Sequence, residues 1–307
     1  MNASFLSLLA SDPEIGILRG EPLFRHTTFR IGGKADVAVF PETPLAFARA
    51  VDACRRFSVP YRVIGKGSNV LFDDSGYAGA VLFTDKLIGI SVDGNRITCG
   101  AGIPLKLLCH VARDNGLAGL AFAYGIPGTV GGAVYMNAGA FEGQMSDVFY
   151  EASYYDPESG EIRTVTKDGM HFGYRHSLFM ENGGILLSAT FLCEKGDPAE
   201  IDEEMMDHIR SRAEKQPLAE PSAGSVFRRP AGHFAGALIA EAGLSGRAIG
   251  GAKVSEKHAG FIVNTGSATA ADVRGLIRVI QNEVMEKSGI LLEPEIVIID
   301  NPDRKGE

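Results

Sequence analysis

Apolar positions recur in short runs whose spacing changes repeatedly along the chain. Ser4–Ala10 is apolar but short, and no basic residue precedes it, which suits a small amphipathic helix rather than a secretory signal. Asp36–Phe40 alternates as a strand does. Thr43 then stands as an N-cap with Pro44 at the first helical position, and Phe47, Val51 and Cys54 follow at helical spacing, which predicts a helix over 44–57. Tyr61–Ile64 and 79–83 read as strands, and Asp93-Gly94-Asn95 separates two alternating runs as a hairpin turn does. Pro104 opens a helix with Leu105, Leu108 and Ala112 on one face, closed by Gly116. Residues 125–140 are too glycine-rich for one regular element and predict a structured loop with a short helical turn. Strands are expected around Asp156–Gly160 and over Ile185–Cys193, followed by a charged helix over Pro198–Lys215 that ends before Pro217.

Beyond Pro217 the pattern predicts a loop, a helix near 234–242, a strand at Gly260–Asn264, a long helix over 270–287 and a last strand over 295–299. Val273, Leu276, Ile277, Ile280 and Val284 form the apolar stripe of the long helix. Strands joined by hairpins and mixed with helices argue for an α+β fold rather than a doubly wound sheet.

Composition narrows the function classes. The 307 residues are 45% hydrophobic and 22% charged, an ordinary globular balance, and the net charge of −8 carries no long like-charged run. A dense basic surface for phosphate neutralisation is missing, so a general nucleic-acid binder is not expected. No apolar run approaches the ~18 residues that span a bilayer. Cys54, Cys99, Cys109 and Cys193 lie far apart with no C-x-x-C pair, which suits buried thiols in the cytoplasm better than disulfides or zinc ligands. The histidines show no metal-ligand spacing, so no metal is expected.

Glycine changes the picture most. There are 38, and they cluster in two loops, Gly65-Lys66-Gly67-Ser68-Asn69 and 125–139. Neither a P-loop nor a G-x-G-x-x-G site follows a strand. Backbone N–H groups in such loops nevertheless form concavities for anions, and absent side chains let a pyrophosphate approach. Either loop alone reads as a tight turn. Together they point to a dinucleotide held by two subdomains.

These loops, with Ile31-Gly32-Gly33-Lys34-Ala35-Asp36, Gly173-Tyr174-Arg175-His176-Ser177, Ala223-Gly224-Ser225-Val226-Phe227 and Leu292-Glu293-Pro294-Glu295-Ile296, resemble the UDP-N-acetylenolpyruvoylglucosamine reductase family over nearly the whole chain. The resemblance implies a two-part FAD-binding module of the vanillyl-alcohol-oxidase-like class and a C-terminal α+β substrate-binding domain. The expected divisions are subdomains at 1–90 and 91–197, a linker helix at 198–216, and a substrate domain at 217–307 whose last strand returns to the first subdomain. It also implies non-covalent FAD, NADPH as hydride donor, a small nucleotide-sugar substrate, no obligate protein partner, and a role in peptidoglycan precursor synthesis.

Site residues follow from the same resemblance. Gly65, Lys66, Gly67, Ser68, Asn69, Gly125, Thr129, Gly131, Gly132, Asn137 and Gly139 are expected to bind the cofactor. Ser225 is the expected proton donor to C2 of the enolpyruvyl group, with Arg175 and Glu295 stabilising the enolate. Arg175 offers a donor fork suited to a carboxylate gaining charge. Glu295 can assist only with a proton or a shared hydrogen bond, because a bare carboxylate repels an enolate. Tyr174, Arg229 and His258 match substrate-side positions, while Lys253 and Lys257 either face a diphosphate or lie on an exposed loop. Glu204 and His208, four residues apart on the charged helix, read as a solvated pair. Only 49 residues separate Arg175 from Ser225, as in the family's shorter subtype. Two rival readings stand beside this one. A sugar or alcohol oxidase of the same module class leaves Ser225 and Glu295 without a role, and the other rival is a non-enzymatic nucleotide-binding module.

Overall fold

Hydrophobic side chains gather into two separate cores, each inside its own unit of the chain. The computed structural model describes residues 2–303. One unit comprises the chain up to Arg19, Val37–Lys66 and Gly79–Ser211; the other comprises Gly20–Asp36, Gly67–Ala78 and the chain from Arg212 onward.

The first unit is organised on a five-stranded antiparallel sheet in the order Glu161–Thr166, Phe149–Asp156, Ile185–Leu192, Arg96–Gly100, Ile90–Asp93. Two register shifts interrupt the pairing of Phe149–Asp156 with Ile185–Leu192. Tyr61–Ile64 pairs in parallel with Ala80 to Phe83, so the chain leaves that strand directly into Gly65. The helix Pro44–Arg56 begins where sequence places it: the Thr43 side chain accepts from Ala46 N, and Pro44 occupies the first turn. Phe47, Ala50, Val51 and Cys54 are buried on its inner face. In the helix Leu105–Asp114, Pro104 is the extended N-cap rather than the first helical residue. Pro198–Lys215 is helical, and Ile201 and Met205 join the first core.

The second unit packs helix Ala270–Ser288 and helix Ala235–Glu241 with a four-stranded antiparallel sheet in the order Ser222–Ser225, Phe261–Asn264, Ala252–Val254, Ala248–Ile249. Val273, Leu276, Ile277, Ile280 and Val284 are the buried stripe. Thr269 and Asp272 form a reciprocal capping box, and Gly289 closes the helix with φ 70°. Asp74 adds two bonds from outside the helix, accepting from Ala270 N at 2.7 Å and Ala271 N at 3.0 Å. The last strand is Val297–Ile299, paired in parallel with Val70–Phe72, so Glu295 precedes the strand instead of opening it. Sequence also missed the strand Ile15–Pro22, whose Leu18, Arg19 and Gly20 break alternation with consecutive exposed positions.

Leu276 lies wholly inside the second core. Leu276→Ala is expected to lower unfolding free energy by about 2–5 kcal/mol through lost transfer energy and a cavity. Met285→Ala, on the exposed side of the same helix, should stay within about 0.5 kcal/mol. Urea denaturation of the two variants checks the contrast.

Candidate active site

Gly65 leaves its strand with no room for a side chain. A Cβ there would stand 2.3 Å from Thr129 Oγ1. Thr129 occupies the N-cap position of the short helix Val130–Tyr135, yet its hydroxyl makes no capping bond and is buried without a hydrogen-bond partner. A buried hydroxyl in that state costs free energy unless a ligand completes it. The loop carrying it is held by Leu105 N to Gly128 O, Val130 N to Ile103 O and Gly131 N to Ala101 O, at 3.1, 2.9 and 2.8 Å. Gly132 is exposed, with no atom closer than 4.0 Å to an added Cβ. Gly131 has a second reason to be glycine, since its Cβ would meet Ala101 at 3.1 Å. An orphaned hydroxyl beside glycines that clear a path for backbone approach fits a pyrophosphate.

The remaining loop residues divide by role. Lys66 is exposed. Gly67 has φ 62°, and a Cβ on it would come 2.1 Å from His26 O, so both conformation and contact demand glycine. Ser68 is half-buried. Asn69 donates from Nδ2 to Glu295 O at 3.2 Å, and its own carbonyl accepts from Val297 N at 2.9 Å. Gly125 has φ 90°. Asn137 is buried, with its amide committed inside the protein: Oδ1 accepts from Ser146 N at 2.9 Å, and Nδ2 donates to Gly173 O at 3.0 Å and Gln144 Oε1 at 3.3 Å.

Arg175 sits at the tip of a tight turn closed by mutual backbone bonds between Gly173 and His176. Its φ of 53° lies in the left-handed region, at a cost of roughly 1–2 kcal/mol for a residue with a Cβ. Nη2 donates to Gly139 O at 3.3 Å, and the guanidinium lies 5.1 Å from the exposed Tyr174 ring. One residue past the turn, the fully buried Ser177 donates from Oγ to Tyr135 O at 2.7 Å.

In the second unit, Ser225 is placed by a bulge. Ser222 pairs with Val263 and Ser225 with Phe261, leaving one extra residue on the first strand, and Gly224 has φ 76°. Such bulges re-aim a side chain. The backbone beside Ser225 meets the Glu295 segment: Glu295 N donates to Val226 O at 2.7 Å, and Arg228 N to Glu293 O at 2.9 Å. Ser225 and Glu295 are both half-buried and held by neighbouring main chain. A Cβ added to Gly260 would lie 2.9 Å from His258 Cε1 and 3.5 Å from Ser225 Oγ, so His258 flanks the same place. His258 Nδ1 accepts from Gly260 N at 3.2 Å, which puts the proton of the neutral ring on Nε2. Burial lowers the His258 pKa below its ordinary 6.5.

Four peripheral residues take the following positions, and for one of them the expectation changes. Arg229 is exposed and stacks over Phe234 at 3.9 Å. Lys257 donates to Ala213 O, within the last turn of Pro198–Lys215, at 2.5 Å. Lys253 lies 3.5 Å from Glu256. His208 is not half of a solvated pair: it shares a hydrogen bond with Ala121 O at 3.1 Å and stacks on Phe141 at 4.0 Å, because its face of the helix is packed. Sequence reasoning also left Ser177 and the Gly224 bulge without roles. The serine of Gly-Tyr-Arg-His-Ser and the glycine before Ser225 were the available signals.

Residues 35–166 match the family model for an FAD binding domain, and residues 216–299 match that of the UDP-N-acetylenolpyruvoylglucosamine reductase C-terminal domain. The chain shares its fold, at a TM-score of 0.50 and 19% identity over 64% of its length and 44% of the other chain, with a glucose oxidase variant of Phl p 4. The matched FAD binding domain, with the reductase relatives that follow, places the chain among FAD-dependent oxidoreductases. A UDP-N-acetylenolpyruvoylglucosamine reductase of Clostridium botulinum is 46% identical over 92% of each chain, and one of Caldicellulosiruptor bescii is 48% identical over 93% of this chain and 91% of its own. The UDP-N-acetylenolpyruvylglucosamine reductase structure from Thermus caldophilus superposes with a TM-score of 0.79 at 34% identity, covering 93% of this chain and 98% of that one. The chain belongs to the UDP-N-acetylenolpyruvoylglucosamine reductase family.

Two outcomes test this geometry. Gly65→Ala should weaken FAD binding at least about tenfold, because its methyl must displace the Thr129 hydroxyl. Gly89→Ala, which meets nothing within 4 Å, should keep its flavin; titration of apoprotein with FAD measures both. For His258, the unfolded state binds the extra proton as pH falls below 6.5. The stabilisation is therefore complete above that value and is lost as pH drops toward the lowered folded pKa. His258→Asn keeps an acceptor for Gly260 N and should flatten the fall in melting temperature between about pH 8 and about pH 5. An unchanged slope contradicts the neutral assignment.

Proposed function

We propose that this enzyme uses NADPH to reduce UDP-N-acetylenolpyruvoylglucosamine to UDP-N-acetylmuramate in the cytoplasm, a step in peptidoglycan precursor synthesis. Its family membership over more than nine-tenths of the chain supports the reaction. The observation that carries the residue assignment is the bulge at Gly224, which sets Ser225 beside the Glu295 segment inside the family's C-terminal domain. Four buried cysteines with free thiols accord with a reducing compartment.

Held non-covalently in the glycine cradle and reduced by NADPH, the flavin would supply the hydride for C3 of the enolpyruvyl group. Gly65, Gly67, Gly125, Gly131, Gly132 and Gly139 keep backbone close, Thr129 offers a hydroxyl, and Lys66 and Ser68 complete the loop. Negative charge then develops at C2 and spreads into the substrate carboxylate. Arg175 meets it with a planar donor fork. Glu295 contributes a shared hydrogen bond there. Ser225 gives its hydroxyl proton to C2, closing the balance of one hydride and one proton across the double bond. Neutral His258, with its Nε2 proton, and exposed Tyr174 and Arg229 serve the substrate side.

Ser225→Ala separates the two halves of this cycle. Bleaching of the flavin by NADPH needs no proton at C2 and should stay near the wild-type rate. Reoxidation by the enolpyruvyl substrate should fall at least about a hundredfold, as loss of a positioned proton donor does. Ser225→Cys should retain more activity. Stopped-flow absorbance in the flavin band reads both halves, and wild-type reoxidation by Ser225→Ala would remove the serine from the proton path.

A further inference from the structure

The Arg175 turn and the glycine loop are joined by three bonds from alternate residues of the loop. Tyr135 O accepts from Ser177 Oγ at 2.7 Å, Asn137 Nδ2 donates to Gly173 O at 3.0 Å, and Gly139 O accepts from Arg175 Nη2 at 3.3 Å. Residues 135, 137 and 139 therefore meet 177, 173 and 175. Two of these bonds brace the turn from either end, and the third reaches the guanidinium itself. The donors at the two ends, Ser177 and Asn137, are buried, at 0% and 2% exposure.

From these bonds we infer that Asn137 is a positioning residue for Arg175, not a ligand of the cofactor. Its amide is consumed by Ser146 N, Gln144 Oε1 and Gly173 O, which leaves the loop's glycines and Thr129 to meet the flavin. Asn137 itself has φ 42°, a conformation asparagine tolerates better than most residues. Arg175, at φ 53°, gains no such tolerance from its side chain and must be held by its surroundings. Asn137 bonds the carbonyl of Gly173, the first residue of the turn, so losing that bond lets the turn relax and swings the guanidinium off the developing charge. The same loop carries the flavin cradle, so the hydride donor and the charge-stabilising arginine share one frame. The inference rests on the catalytic assignment of Arg175 above.

Asn137→Asp is the direct test, because it keeps the acceptor for Ser146 N and replaces the N–H given to Gly173 with a carboxylate oxygen. In the FAD-loaded enzyme, amide hydrogen exchange across residues 173–177 should accelerate about tenfold or more. Reoxidation by UDP-N-acetylenolpyruvoylglucosamine should slow about tenfold in the wild-type background and less than about twofold in Arg175→Ala, since a residue acting through another is non-additive with it. The dissociation constant for FAD should stay within about threefold. Unchanged exchange, multiplicative losses in the double variant, or flavin loss with normal reoxidation per bound flavin would each overturn the inference. Should Arg175→Ala alone reoxidise normally, the catalytic assignment fails while the exchange measurement still decides the positioning. Ser177→Ala, which removes the bond at the other end of the turn, is read the same way if Asn137→Asp does not fold.

Discussion

Side-chain amides hydrogen-bonded to main chain are the constraint on which the proposed site depends. A loop of glycines is suited to a phosphate because it has no side chains, and for the same reason it cannot hold its own shape. Asn137 supplies what the glycines lack: one planar group that accepts from Ser146 N and donates to Gly173 O. Asn69 does the corresponding work in the other unit, donating to Glu295 O while its carbonyl accepts from Val297 N. In each unit an asparagine of a glycine-rich loop is therefore bonded to a segment that carries a proposed site residue, Arg175 in one and Glu295 in the other. Leaving the buried Asn137 amide unsatisfied would cost about 1–3 kcal/mol, enough to fix one arrangement over its alternatives.

Strain is distributed in the same way. Arg175 occupies a left-handed conformation at the tip of its turn, and Ser225 follows a left-handed glycine in a bulged strand. A regular hairpin or an unbroken strand would satisfy the backbone more cheaply, but would point these side chains elsewhere. The two hydrophobic cores make the cost tolerable. The buried stripe of Ala270–Ser288 and the interior of the five-stranded sheet anchor the elements from which the strained loops depart.

Much of this was legible in sequence. The stripe from Val273 to Val284 follows helical periodicity strictly, so the long helix and its inner face could be read to within one residue. Thr43-Pro44 marked a helix start because capping is local chemistry. The glycine loops could be found by composition, and their joint meaning came from resemblance. What could not be read depended on partners distant in the chain. Asn137 gives no local sign that its amide will meet Gly173, 36 residues away. His208 looks solvated on a helical wheel until Phe141 stacks on it. The last strand starts at Val297 because Glu295 N is already bonded to Val226 O.

Ion pairs play a different part from the amides. Arg49 with Asp12 and Glu14, Arg113 with Asp202, and Arg163 with Asp156 all keep solvent access at the arginine. Exposed pairs of this kind contribute about 0–1 kcal/mol and weaken with salt. The groups bracing the site are neutral instead: two asparagines, Ser177, backbone carbonyls, and His258, which burial keeps uncharged. Neutral braces suit the proposed chemistry, in which a nucleotide sugar already carrying a diphosphate and a carboxylate enters and charge builds on that carboxylate. A carboxylate brace would repel that charge, and a cationic one would compete for it with the donor fork proposed for Arg175. Under the proposed assignment, such braces leave Arg175 as the donor fork that the developing charge would meet.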